Sequence, residues 1–388
     1  MSRSAGGEAD TDGLLTILLT LKDRPAFTQR WMDYANSVAF PFKVLIADGS
    51  ENESAQDLLR DHSRFPGVEY EYVRYPYDAG YSDYYAKMAA ALGRVDTPFV
   101  AMADNDDFFI VDCARESIRF LAENPEYVSC GGQGAVFWVN PAHGGDAGRL
   151  YGENVEWKCT RETESVDAAT AMERIRTVSV SKSDTFYYDV KRTNEARREL
   201  EIVRQLDLKD LFLVEHLIWH IAAIAGKTKR LEHLYLARQQ DSPGSSGGTH
   251  QELFGDWFGR MLVDSWSGDF AKFLAVVSDL LACADGITLA QARKSVLQCY
   301  RASVAPTLLS NLLEEPTVTR TMPGVVSAVR KLVSLPEGSA LKRIARKAYR
   351  RLPWISLDIV YGTELISTPV PDAKRDFAPI SDFLKTPR

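Results

Sequence analysis

Between Leu14 and Asp104 the chain alternates short, almost wholly apolar runs with stretches of helical spacing, a rhythm that few folds accommodate. The runs "LLTILLTL" (14–21), "KVLIAD" (43–48), "VEYEYVRY" (68–75) and "PFVAMAD" (98–104) read as strands. The first is apolar at nearly every position, as expected of a strand covered on both faces. Between them, "RPAFTQRWMDYANSV", "SAQDLLRDHSRF" and "SDYYAKMAAALGRV" carry helical spacing, with Pro25 suited to a first helical turn. Strands and helices alternating at this interval predict an α/β fold with a mostly parallel sheet and right-handed crossovers.

In such a sheet, ligands gather beyond the carboxyl ends of the strands. The residues that follow the first, second and fourth strands are "TLKDRP", "DGSENES" and "DNDD", so polar and charged groups converge on one edge. Asp104, Asp106 and Asp107 stand out there because they follow a run built for burial. Carboxylates this close repel, and near a core they lose hydration, so the group calls for a counter-charge. A divalent cation is the simplest one. Taken singly, "DGS" suits a turn and acidic residues suit a helix start, where Asp112 is expected to cap "CARESIRFLAENP".

Bulk properties narrow the classes. With 388 residues, 45% of them hydrophobic, the chain has enough apolar content for one large core or two moderate ones. A net charge of −7 argues against a general nucleic-acid binder. Residues 1–240 hold 28 Lys+Arg against 38 Asp+Glu, a balance of −10, while 241–388 hold 18 against 15, a balance of +3. The asymmetry points to different partners for the two parts. Five cysteines without CxxC spacing read as reduced thiols. The polar start "MSRSAGGEADTDG" has no signal-peptide character, and no run reaches the length of a membrane span, so a cytoplasmic chain is expected.

In order and spacing, "ILLTLKDRP", "VLIADGSENES", "GYSDYYAKMAAAL" and "FVAMADNDDFF" resemble the nucleotide-sugar domain of family-2-type, GT-A-fold glycosyltransferases. The nearest branch is the bacterial one working on capsule, lipopolysaccharide and related surface glycans. The likeness spans roughly residues 12–240 and weakens after Asn140. It implies a metal-dependent, inverting transfer of a sugar from a nucleotide-diphosphate donor, UDP above all, to a glycan or lipid-linked hydroxyl. Thr20 and Arg24 would then line the nucleotide pocket, and Asp48 would accept a hydrogen bond from the base. Lys87 would lie near the diphosphate, although many relatives carry an arginine slightly earlier. Asp104 and Asp106, flanking Asn105 on the donor side, would hold Mn²⁺ or Mg²⁺, with Asp106 the direct ligand. The catalytic base implied is Glu215, in "VEHLIWH", where relatives often show a second acidic residue that is missing here.

The remaining chain is read from its residues. "GGQGAVFWVNP" (131–141) is expected to be a strand on the acceptor side, and "SDTFYYDVKRTNE" (183–195) is aromatic and basic enough to grip a sugar. His216 and His220 lie four apart on a helix, but without an HExxH order or a third ligand they are expected to be core histidines. The resemblance allows a late histidine as a further metal ligand, with His233 and His250 the two open candidates. "RQQDSPGSSGGTH" (238–250) is either a loop closing over the donor, with Arg238 supporting the diphosphate, or a linker. The domain layout expected is a disordered start (1–12), a GT-A domain (13–240), a flexible loop or linker (241–250) and a helical C-terminal domain (251–388). That last part is expected to handle the acceptor, to form homo-oligomers or to touch membrane. "ALKRIARKAYRRLPW" (340–354) has the form of a basic amphipathic helix, suited to anchoring on anionic lipid at the inner membrane face. Two other readings stand beside transfer: a sugar nucleotidyltransferase, which would show a Gly-rich signature near its first strand, and a non-catalytic glycan-binding relative.

Overall fold

A computed structural model describes residues 11–139, 150–160, 164–180, 187–240, 242, 260–313 and 370–385. The chain forms two compact units, Met1–Cys299 together with Pro369–Arg388, and Tyr300–Thr368. Within the second, the described residues amount to the end of one helix, Leu289–Leu313.

The first unit is mixed α/β. Its opening strands are β1 (Leu15–Leu21), β2 (Lys43–Asp48), β3 (Tyr70–Arg74) and β4 (Phe99–Asp104). They lie in the order β3-β2-β1-β4, all parallel. The helices α1 (Pro25–Ser37), α2 (Ser54–Leu59) and α3 (Tyr81–Leu92) fall between them. Every residue of β1 is buried, which is why its sequence shows no alternation. Pro25 opens α1, and Phe27, Trp31, Met32 and Ala35 turn one face of that helix into the core.

The sheet continues through elements that the sequence shows less plainly. A short β5 (Asp107–Phe109) follows the aspartates at once, then α4 (Val111–Glu123) and a long β6 (Tyr127–Val139). After these come β7 (Val155–Thr160), α5 (Ala171–Val180), β8 (Val190–Arg192), α6 (Thr193–Leu206), α7 (Leu211–Ala225) and β9 (Lys227–Gln239). The order runs on from β4 as β8-β6-β9-β5, with β7 paired to β6. Here pairing is mixed: β8 is antiparallel to both neighbours, β6 and β9 are parallel, and β5 is antiparallel to β9. Most of the paired length of the whole sheet is parallel, as expected.

Three expectations change. Asp112 is not the cap of α4: Ile110 holds that position in extended backbone, and Asp112 sits in the first turn, where its charge still suits the helix dipole. The helix Trp266–Asp285, assigned by sequence to a separate helical domain, packs in the first unit, with Phe273, Leu274, Val277 and Leu281 buried. The C-terminal helix Ala373–Lys385 also returns there. Its Phe377 stacks on Trp157 of β7 at 4.5 Å between ring centroids, and Phe383 meets Tyr34 of α1 edge-on at 5.2 Å. No single helix among the described residues is long and apolar enough to cross a membrane. The basic segment 340–354, most of the loop 238–250 and His250 lie outside the described residues.

Candidate active site at the strand ends

Register brings the predicted residues together. In the parallel pairing, Thr20 of β1 stands beside Ala47 of β2 and Asp104 of β4, and Leu21 stands beside Asp48. Three strands therefore deliver Thr20, Asp48 and Asp104 to one carboxyl edge, where the aspartate cluster begins.

The cluster is not a solvated loop. Asp106 and Asp107 are buried, and single oxygens of Asp104, Asp106 and Asp107 all lie within 4.8 Å of one another. Each carboxylate has its own partners. Asp104 accepts hydrogen bonds from Thr20 Oγ1 (3.3 Å) and from the Tyr188 hydroxyl (2.6 Å). Asp106 accepts from Arg24 Nη2 (3.0 Å) and from Ser242 Oγ. Asp107 opens β5 and faces Arg238 across the ladder to β9, and Arg238 Nε donates to it at 3.1 Å. Asn105 points inward, donating to Thr28 Oγ1 (3.1 Å) and to the Arg24 carbonyl (3.5 Å), so it fixes the turn against α1.

These surroundings separate the three carboxyls. Burial, then repulsion from Asp106, raises Asp104; burial raises Asp107 well above the carboxylate range despite Arg238. Burial also works against the charge of Asp106, but Arg24, Ser242 and Arg30 together outweigh it and hold that carboxyl low. Arg30 is wholly buried between the rings of Phe27 and Phe108, with its Nη1 on Gln239 Oε1 (2.6 Å) and the Leu150 carbonyl (3.2 Å). Loss of hydration lowers it to about 10, still cationic at neutral pH. Its Nε and Nη2, and Nε of Arg24, are buried without an acceptor among the described residues.

The donor set fits a hard divalent cation. It offers only oxygens, from three carboxylates held close together, and Asp106 Oδ1 and Asp107 Oδ1 accept no hydrogen bond among the described residues. Arg24 and Arg30, whose donors in part meet no acceptor among the described residues, suit an anionic ligand that would accompany the cation.

Asp48 and Lys87 lie at the same edge but are engaged internally. Asp48 is fully buried; its oxygens accept from Ser50 N (2.8 Å), the Tyr72 hydroxyl (2.6 Å) and Arg74 Nη1 (3.1 Å). Lys87, which reads as an ordinary helix lysine, is 4% exposed and donates to the Leu21 carbonyl (2.9 Å) and to Asp78. Asp78 lies against Gly49 of the "DGS" turn, where a Cβ would stand 2.4 Å from its carboxyl carbon. That contact, more than turn geometry, is what requires glycine at position 49. Loss of hydration raises Asp78 and lowers Lys87, each restrained by the other.

Glu215 is half-buried on α7, whose first turn is capped by Asp210 through Leu213 N (2.8 Å). Its charge reaches two tyrosines of α3. Burial first and Glu215 second push Tyr81 up to about 12, and Glu215 also helps to raise Tyr85, which feels Asp104 as well. The charges of Glu215 and Asp104 thus both reach α3. His216 and His220 are buried, His220 being bonded through Nδ1 to the His216 carbonyl (2.6 Å), as expected of core histidines. His233 lies on the far part of β9, 3.8 Å from Glu116. Tyr188, Arg30, Asp78 and Ser242 were not singled out as site residues by sequence. For Tyr188 the signal was its place in the aromatic segment, and for Asp107 its place beside Asp106.

No family model matches this chain, and neither does any curated protein. Among solved structures, S. aureus TarS 1–349 in complex with UDP-GlcNAc aligns over 82% of this chain and 79% of its own, with 12% identity and a TM-score of 0.44. The complex of TarS 1–349 with UDP aligns over 74% and 90%, with 12% identity and a TM-score of 0.39. A longer TarS structure aligns over 74% of this chain at 12% identity, with a TM-score of 0.38, and the chain spans about half (54%) of its length. Likenesses this remote carry no weight for substrate or residue roles.

Proposed function

We propose that this chain is a metal-dependent, inverting glycosyltransferase that takes a sugar from a nucleotide-diphosphate donor, UDP-linked, and passes it to a hydroxyl of a surface glycan or its lipid-linked precursor. The observation that carries the reading is the close group of half-buried Asp104 with buried Asp106 and Asp107 at the carboxyl ends of parallel strands, with Arg24 and Arg238 beside it. Carboxylates for a cation and guanidiniums for phosphate, side by side, suit a substrate that is itself a cation–diphosphate pair.

In this reading Asp104 and Asp106 hold Mn²⁺ or Mg²⁺, which when bound neutralises the diphosphate as it leaves. Arg24 and Arg238 orient the diphosphate, and Thr20 and Asn105 keep the carboxylates in place. Asp48 and Lys87 serve the base and phosphate ends of the pocket through the loops they pin. Glu215 accepts the proton of the acceptor hydroxyl as that oxygen bonds to the anomeric carbon. The electron pair of the broken bond departs with the diphosphate. A base on α7 can serve an acceptor arriving opposite the leaving group, which inverts the anomeric centre.

The test is a thermal-shift screen of nucleotide sugars with and without Mn²⁺, followed by turnover of the best donor in the wild type and Glu215→Gln. The reading expects a UDP-sugar to stabilise the protein only with the cation. Turnover of the variant should fall about 10²–10⁴-fold with donor affinity unchanged. Cation-independent stabilisation would overturn the metal role. Near-normal turnover of Glu215→Gln would remove Glu215 as the base.

A further inference from the structure

Asp106 cannot serve Arg24 and a divalent cation on the same terms. Its Oδ2 already accepts from Arg24 Nη2 at 3.0 Å and from Ser242. A doubly charged ion on the other oxygen, Oδ1, would face the guanidinium across a single carboxylate, and at that range the two cations repel. The two therefore compete for Asp106.

Arg24 is the group built to move. Its backbone is fixed: Asp23 and Arg24 are both left-handed (φ 54° and 61°), Asp23 N donates to Ser50 Oγ at 2.7 Å, and Asp23 Oδ1 accepts from Glu51 N at 3.1 Å. Its side chain is held more lightly. The guanidinium lies 4.1 Å from the Phe27 ring centroid, 20% of the side chain remains exposed, and Nε is buried without an acceptor among the described residues. Arg30, by contrast, is wholly buried, bound to two acceptors, and cannot follow. The two arginines divide the work: Arg30 is a fixed counter-charge behind Asp106, and Arg24 is an exchangeable one in front of it.

Building on the reading above of the aspartates as a cation site, we propose that Arg24 stands in for the cation on Asp106 and is drawn off by the diphosphate of an incoming nucleotide. A diphosphate matches the guanidinium fork better than one carboxylate oxygen does, and it can supply an acceptor for the unspent Nε. When Arg24 turns to the phosphate, Asp106 is released to the cation. Neither ligand then binds well alone, and each tightens the other by the same factor. Arg24 is thus a positioning residue that keeps the site from loading a cation before the donor.

Manganese binding to the full chain, read from the EPR signal of free Mn²⁺ with and without UDP, tests this. Wild type should bind Mn²⁺ weakly alone and at least about tenfold more tightly with UDP. Arg24→Gln removes the competing charge, so it should bind Mn²⁺ without nucleotide more tightly than wild type, and the effect of UDP should shrink toward none. Arg24→Lys keeps a charge but not the fork, so it should still exclude Mn²⁺ in the absence of nucleotide. It also serves as the second variant should the glutamine change disturb the fold. Asp106→Asn should lose Mn²⁺ in every condition. If Arg24→Gln binds Mn²⁺ no better than wild type while Asp106→Asn abolishes binding, the exchange is overturned and the cation site stands. If no form binds Mn²⁺ even with UDP, both are overturned.

Discussion

Tyr188 donates its hydroxyl to Asp104 Oδ2 at 2.6 Å while Arg238 lies over its ring, 4.7 Å from the centroid, with Nη2 donating to the same hydroxyl at 3.2 Å. One phenol therefore joins the ends of β4 and β9, whose own arginine holds Asp107. Tyr188→Phe keeps the ring and removes the bond to a half-buried carboxylate, so unfolding free energy should drop by about 1.5–3 kcal/mol. Urea denaturation of the two proteins measures it, and an unchanged midpoint would mean that Asp104 does not depend on this donor.

The buried pair of Lys87 and Asp78 gives a second expectation. Replacing one member leaves an unpaired charge in the interior, so Lys87→Met should destabilise the protein by about 3–5 kcal/mol. The double change Asp78→Asn with Lys87→Met removes both charges and should recover part of that loss. A double change that costs the sum of the Lys87→Met and Asp78→Asn single changes would show that the two groups are not coupled.

The core histidines predict a pH response. Burial first, then the neighbouring His220 and Arg260, lowers His216 to about 3, and burial lowers His220 to about 4, each from an ordinary value of 6.5. Both are neutral in the fold while the unfolded chain takes up protons below about pH 6.5. Their contribution is complete above that value and is lost as pH falls toward 4. Across this window each imidazole should add a slope of up to about 1.4 kcal/mol per pH unit. His216→Phe should remove about half of the histidine share of the slope between pH 6.5 and 4.5. A slope equal to that of wild type would show that His216 takes up its proton in the folded state.

How much of this was legible in the sequence depended on how local the cause is. β1, β2 and β4 could be read because full burial leaves an unbroken apolar run, and the aspartates because nothing local balances them. The partners of those aspartates were not legible. Arg238 comes 131 residues after Asp107, and only the β5–β9 register brings them face to face. β9 itself, "KTKRLEHLYLARQ", is full of charge because its Arg230 pairs with buried Asp189 and its Arg238 serves the cluster, so its alternation is blurred. The burial of Lys87 could not be read from its helix, because its counter-charge sits nine residues earlier, on a loop. The helix Ala373–Lys385 falls in the part read as a separate helical domain, and its burial depends on aromatic rings of β7 and α1.

In the proposed reaction Asp106 is ionised and buried so that it can share a cation with a nucleotide diphosphate. Titration calorimetry of UDP into wild type and Asp106→Asn, each with Mn²⁺ and with chelator, separates the two roles. Mn²⁺ should strengthen UDP binding to wild type and leave the variant, still folded by circular dichroism, near its chelator value. Equal UDP affinity of the two proteins in Mn²⁺ would rule out a cation shared through Asp106.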